Sequence, residues 1–365
     1  MGDSQPSGIL PGHWIQDLAK RGQIRTPEPF VDGQVQPASL DLRLGPVAYR
    51  VRASFLPGPG TTVAERIEAL KLHEIDLTTG ALLEPGRSGG VYIVPLMEAL
   101  ALPDDVAAAT NPKSSTGRLD VFTRVITDRA REFDTIPAGY AGQLYLEISP
   151  RTFPIIVRAG SRLSQVRFRR GNARLDDTAL RAVHAETPLV DDDLRLADGV
   201  MLSIDLGREG VVGYRAKRHT GLIDVDRRDA YDVIDFWDPL TTHGREELVL
   251  DPDQFYILVS NEAVHVPPDY AAEMVPYDPL VGEFRVHYAG FFDPGFGHSP
   301  AGGAGSRAVL EVRSHEVPFI LEHGQSVGRL VYERMLERPQ VLYGQDIGSH
   351  YQAQGLKLSK HFRAT

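Results

Sequence analysis

The sequence predicts a mainly β protein made of two tandem β-barrel domains, jelly-roll-like, with one short helix at the N-terminus. Three observations lead there. The first is an internal repeat. Ser39-Leu40-Asp41-Leu42 recurs as Ser203-Ile204-Asp205-Leu206, a shift of 203 − 39 = 164. Tyr92, Glu98, Pro103 and Ala107 recur at the same shift as Tyr256, Glu262, Pro267 and Ala271. So do Glu147, Pro154 and Gly160, as Glu311, Pro318 and Gly324. The second is strand chemistry: VYIVPL, QLYLEI, FPIIVRA and LSQVRF are β-branched or alternate apolar with polar residues. The third is punctuation, 35 Gly and 26 Pro, which suits many short strands joined by tight turns.

The elements follow in order. Residues 11–21 place Trp14, Ile15 and Leu18 on one helical face, and Gly22 stops the helix. Strands then alternate with turns through both copies. The polar stretch 186–198 marks the seam, giving domains 1–185 and 186–365. The run Asp191-Asp192-Asp193 within it reads as a solvated linker face rather than a metal site.

Composition excludes several classes. A net charge of −10 argues against general affinity for DNA or RNA, whose binding needs phosphate neutralisation. It leaves room for one local basic pocket. With no cysteine there is no disulfide, no thiolate zinc site and no thiol nucleophile. The N-terminus shows no basic-then-apolar leader, and no apolar run is long enough to span a bilayer. The expected location is the cytoplasm, with no membrane partner.

The most informative segment is Asn111-Pro112-Lys113-Ser114-Ser115-Thr116-Gly117-Arg118. Two adjacent hydroxyls between a lysine and an arginine supply the donors and charge that a polyphosphate needs. A polar turn would use similar residues. The second copy reads Pro276-Tyr277-Asp278-Pro279-Leu280-Val281-Gly282 at the same shift, without the hydroxyls or the arginine. A structural turn should survive duplication as well as its surroundings do, so one copy has kept a binding role and the other has not.

KSSTGR, VITDR, AGYAGQLYLEI and RAGSRLSQVRF, in that order, resemble the dCTP deaminase family of the dUTPase-like superfamily. GFFDPGFG and GQSVGRLVYERM resemble it again in the second copy. The resemblance implies two dUTPase-like barrels and hydrolytic, zinc-independent conversion of dCTP to dUTP and ammonia. Lys113, Ser114, Ser115 and Arg118 match the phosphate-binding segment, and Ser114 and Arg118 also match the residues that hold the catalytic water. Thr127 and Arg129 match the hairpin that meets base and sugar. Glu147 matches the carboxylate that activates water. Tyr343, Tyr351 and Gln354 match a nucleotide-covering tail, whose usual lysine is His350 here. Magnesium is implied only as an ion carried with the triphosphate, and a homo-oligomer, by resemblance a homotrimer, as the assembly.

In the family, sites form between subunits, so two arrangements are open. Copies of domain one can meet one another and use Glu147; this is the expected arrangement, because only domain one retains every element. Alternatively domain one offers Ser114 and Arg118 to a domain two that offers Ala289, Asp293 and Glu311, with Phe291 where the hairpin arginine would stand. The rival activity is a dUTP diphosphatase or a bifunctional enzyme, although Ile136-Pro137-Ala138-Gly139-Tyr140 has proline where diphosphatases place an aspartate. A rival of another class is a non-catalytic nucleotide-binding protein of the same fold. His184-Ala185-Glu186 fits half of a zinc-deaminase signature and reads as a linker tripeptide. Gly302-Gly303-Ala304-Gly305 reads as a loop.

Overall fold

The computed structural model describes residues 6–85, 90–276, 284–286, 290–297, 305–314, 317–344 and 355–363. It is mainly β. In copy one, strands Gly8–Ile9, Arg162–Arg170, Val106–Pro112, Thr135–Ile136 and Leu40–Arg43 form one sheet. Lys71–Asp76, Val47–Val51, Val91–Ala101, Ala141–Pro150, Val121–Thr127 and Ile24–Arg25 form the other. Leu40, Val166 and Phe168 of the first share a core with Val94, Leu146 and Ile148 of the second. Copy two repeats the plan: Val200–Ser203, Ser326–Arg334, Tyr270–Pro276 and Phe291–Phe292 in one sheet, Phe255–Val264 and Ser306–Ser314 central in the other. No helix among the described residues is long and apolar enough to cross a membrane.

The duplication extends to single hydrogen bonds. Glu147 stands opposite Ile93, and Glu311 stands opposite Ile257. The Tyr92 hydroxyl accepts from Glu84 N at 3.2 Å, and the Tyr256 hydroxyl accepts from Asp251 N at 2.8 Å. Three sequence expectations are corrected. First, Ser39–Leu42 and Ser203–Leu206 are not equivalent. Leu44 N donates to Ser161 O and Ile204 N donates to Gln325 O, both at 3.0 Å, so that strand is offset by 204 − 44 = 160. Second, Phe291 pairs with Glu273 as Thr135 pairs with Ala109, an offset of 291 − 135 = 156, so Phe291 does not replace Arg129. The constant shift of 164 conceals compensating length changes on either side of this hairpin.

Third, the seam lies earlier than residue 186. Helix Asp177–Glu186, capped by the Asp176 side chain on Ala179 N, buries Leu180 in the core of copy two. It is the counterpart of helix Gly12–Lys20, which buries Ile15 and Leu18. His184 is therefore part of a helix end, where its Nδ1 accepts from Leu189 N at 3.1 Å, and not a linker residue. Asp191, Asp192 and Asp193 are all exposed, as expected, and Asp191 Oδ1 also accepts from Ala263 N at 2.7 Å.

The copies dock face to face. Strand Ser306–Ser314 alternates between two cores: Ala308, Leu310 and Val312 point into copy two, while Val309 joins the cluster dominated by copy one. Phe153, Phe236, Trp237, Phe255 and Phe362 interlock at this junction, with ring centroids 5.4–6.0 Å apart in the Phe153–Trp237, Phe153–Phe236, Phe236–Phe362, Trp237–Phe362 and Trp237–Phe255 pairs. Ile223–Asp224 adds in parallel to Ile155–Val157 of copy one.

Candidate active site

Strand Val106–Pro112 delivers the Lys-Ser-Ser-Thr segment to the junction. Lys113 caps a single turn, Ser114–Gly117, and Arg118 closes it. Lys113 Nζ bonds the Asp41 carboxylate, and Arg162 Nη1 lies 3.4 Å from the same oxygen. Ser114 is half-buried and uses its carbonyl to accept from Arg118 N at 3.1 Å. Ser115 is buried, and its carbonyl accepts from Ser359 Oγ at 2.8 Å.

Arg118 is 3% exposed, and its Nη1 donates to Lys357 O at 3.0 Å. Its Nε lies 3.9 Å from Glu311 Oε1, across the junction between copies. Glu311 is 6% exposed, because its strand face is the one docked on copy one. Burial pushes its carboxyl up to about 7, against the opposing pull of the Arg118 guanidinium and a backbone hydrogen bond.

Glu147 has a different fate. It is 1% exposed, and on the neighbouring strand Arg124 stands directly opposite in register. Arg124 Nη2 donates to Glu147 Oε1 at 2.6 Å, with its guanidinium carbon 3.5 Å from the Phe133 ring centroid and 4.8 Å from that of Phe122. This face of copy one is covered by its own chain. Helix Val63–Leu70, with a Thr62/Glu65 capping box, packs Val63, Ile67 and Leu70 with Tyr145, Ile93 and Ile126. Within the chain, Glu147 therefore faces Arg124 beside this helix, while Arg118 faces Glu311. Thr127 is buried at a strand end beside this face, and Arg129 is exposed, its N donating to Thr61 O.

Asp293 is buried, and burial raises its carboxyl even though Arg167 of copy one pairs with it at 3.1 Å. Arg167 also donates to Ala272 O and Phe292 O and lies 4.0 Å from the Phe291 ring centroid. Tyr343 packs against Phe296, and its N donates to Pro294 O at 2.9 Å. Ala289, Tyr351 and Gln354 lie outside the described residues, as does the 278–282 counterpart of the Ser/Arg segment.

Two family models match in tandem. Residues 6–172 match the 2'-deoxycytidine 5'-triphosphate deaminase N-terminal domain, and residues 176–362 match the C-terminal domain. The chain belongs to the dCTP deaminase family. A crystal structure of 2'-deoxycytidine 5'-triphosphate deaminase from Agrobacterium tumefaciens is 62% identical and superposes with a TM-score of 0.88, covering 92% of this chain and 100% of that one. The "dCTP deaminase, dUMP-forming" of Methanoculleus marisnigri is 34% identical over 166 residues, 44% of this chain and 80% of the relative. The "dCTP deaminase" of Halorubrum lacusprofundi is 29% identical over 160 residues, 42% of this chain and 72% of the relative.

Within this family member, sequence reasoning missed the C-terminal strap. Segment 355–363 leaves copy two and returns to copy one, burying Leu358 and Phe362 there. Lys360 lies within electrostatic range of Lys113, Arg162, Arg228 and Asp41; burial and the like charges of Lys113 and Arg228 push its ammonium down to about 8. The alternation of Leu356, Leu358 and Lys360 was the available signal. Asp41 lies in the Ser39–Leu42 match and Arg162 in the RAGSRLSQVRF block, yet only the fold brings them to Lys113.

Proposed function

We propose that the chain hydrolyses dCTP to dUTP and ammonia at one site, built between its two copies, with Glu311 as the base. The observation that carries this reading is the buried Glu311 carboxyl, poised near neutrality, 3.9 Å from the Arg118 guanidinium. A carboxyl near pH 7 can accept a proton and return it with little driving force lost either way. Glu311 takes a proton from water as its oxygen bonds to C4 of the cytosine, and then passes it to the amine as the C4–N bond breaks. One water is consumed and one ammonia released. Arg118 and Ser114 orient the water and offset developing negative charge in a site shut off from solvent.

Lys113, Ser115, Arg162 and Lys360 form the locally basic wall for the triphosphate, with magnesium carried on the phosphates. The two-sheet units are read as dUTPase-like barrels, Thr127 and Arg129 as contacts outside this site, and Tyr343, Tyr351 and Gln354 as the cover. A cytoplasmic location and assembly of several chains belong to the same reading.

The names of the dUMP-forming relatives favour one further reading, in which dUTP is hydrolysed onward to dUMP and pyrophosphate. Asp134, raised to about 6 mainly by burial, is fixed by Thr110 Oγ1 and Val125 N at 2.7 and 2.8 Å. Both bonds fall on Oδ1 and brace the hairpin, so the second reaction would have to use Oδ2 of this half-buried carboxyl. Incubation with dCTP, with ammonia, pyrophosphate and nucleotide quantified, tests both readings. Ammonia with dUTP supports deamination alone, equimolar pyrophosphate with dUMP supports the bifunctional enzyme, and no ammonia rejects both.

A further inference from the structure

The two halves of the site lie on separate copies, so their spacing depends on how the copies dock. Arg118 and Glu311 are each followed, two residues later, by a residue of opposite charge, buried Asp120 and half-buried Arg313. On strand Ser306–Ser314, residues two apart share a face, so Arg313 looks toward copy one beside Glu311. On copy one, Asp120 N donates to Gly117 O at 2.9 Å, and a φ of 55° turns the chain there. Arg313 Nη2 bonds the Asp120 carboxylate and donates to Thr152 Oγ1 at 3.2 Å. Thr152 Oγ1 donates to Asp120 Oδ2 at 2.5 Å, and Arg313 Nη1 donates to Asp253 O at 2.7 Å. Asp120 is 1% exposed.

We propose that Asp120 and Arg313 are positioning residues, a charge-reversed second rung that sets the register between copies and so holds Arg118 against Glu311. The physical reason is reach. The contact between Arg118 and Glu311 is long for an ion pair and does not fix its own geometry. The Asp120–Arg313–Thr152 cluster is short, multiply bonded and centred on a buried carboxylate, the type of contact that specifies a geometry. A slip of even about 1 Å in such a site lowers turnover by up to about a hundredfold. The inference rests on the Glu311 reading above.

The test compares Asp120→Asn, Arg313→Gln and Arg313→Lys with the wild-type chain on dCTP. Wild-type turnover is the control: if it is absent, the functional reading has failed; if it is present, only the register argument is at stake. Expected are losses in kcat of at least about tenfold for the first two and about three- to tenfold for Arg313→Lys, with KM for dCTP changed by less than about threefold. As Arg118 drifts from Glu311 its pull on the carboxyl weakens, so the acid limb of the kcat–pH profile moves to higher pH. The Asp120→Asn/Arg313→Gln double variant, whose amides can re-pair, recovers part of kcat. Arg313→Lys keeps the buried charge paired and retains the fold, so it decides the matter if the others are insoluble. Wild-type kcat and an unmoved acid limb in a folded Arg313→Lys, with or without a lower Tm, overturn the proposal.

Discussion

Replacing Glu311 by Gln should make the protein more stable at pH 8 while abolishing its turnover. The carboxyl sits at about 7 in the folded chain against 4.5 for an unburied glutamate. That gap of about 2.5 units is worth about 3 kcal/mol between protonation states. The direction follows from which state holds the proton. A raised native value means that folding favours the protonated form, so nothing is lost below pH 4.5, where both states are protonated. Stability declines as pH rises through the window from 4.5 to 7, and above 7 the full penalty applies. Gln mimics the protonated carboxyl and escapes that penalty; the attraction that Arg118 offers the ionised wild-type carboxyl is already contained in the value of about 7. The variant should therefore gain about 2–3 kcal/mol over wild type at pH 8, and less than about 1 kcal/mol at pH 5. Thermal unfolding of both proteins from pH 5 to 8, with dCTP turnover on the same samples, checks it. Turnover should fall at least about a hundredfold. Parallel stability curves for the two proteins would refute the claim that Glu311 is a carboxyl poised by burial, and retained turnover would refute its role.

Glu147→Gln should keep kcat within about threefold, but weaken a buried ion pair and lower stability by about 1–3 kcal/mol, read by urea unfolding. Arg118→Lys should lose at least about tenfold in kcat, because a point charge cannot both reach Lys357 O and face Glu311 as the guanidinium does; steady-state kinetics checks this. Phe362→Ala empties a ring from the junction and should lower stability by about 3–5 kcal/mol while raising KM for dCTP, as the strap that carries Lys360 loosens. A chain inactivated by Glu311→Gln should bind one dCTP by isothermal titration; a stoichiometry of two would mean that copy one has a working pocket of its own.

How much of this was legible depended on the range of the interaction. Alternation in VYIVPL and QLYLEI marks their strands because a strand's two faces meet different surroundings within one element. The offset of 164 revealed the duplication because the central strands kept their register. The same offset misled at Ser39–Leu42 and Phe291, since similar tetrapeptides can match by chance and paired insertions cancel in an offset. Helix Asp177–Glu186 was passed over because it buries one leucine among polar residues. The local segment Lys113–Arg118 was readable as a site, and so was Glu311 as the alternative acid facing it, but the residues alone gave no ground to prefer Glu311 over Glu147. Arg124 is twenty-three residues from Glu147, and only strand register reveals that it stands opposite. Arg118 and Glu311 meet through docking of two domains, to which no local pattern points.

That docking also explains why the two copies diverged as they did. A site shared between identical subunits requires every copy to keep both halves, the Ser/Arg segment and the unpaired carboxyl. Fusing two copies in one chain removes the requirement. On the proposed reading copy one needs only to present Lys113–Arg118, and an arginine opposite Glu147 with a helix packed on that face does not harm the site. Copy two needs only Glu311 and its strand, which can face outward because copy one supplies the cover. On the proposed reading Glu147 persists without a catalytic demand because its buried carboxylate is paired with Arg124, and removing Arg124 would strand that carboxylate in a dry interior. Persistence of a residue in both copies is therefore no guide to which one works. What distinguishes them is the neighbour. An arginine at 2.6 Å donates directly to Glu147, whereas one at 3.9 Å leaves Glu311 enclosed and raised in pKa.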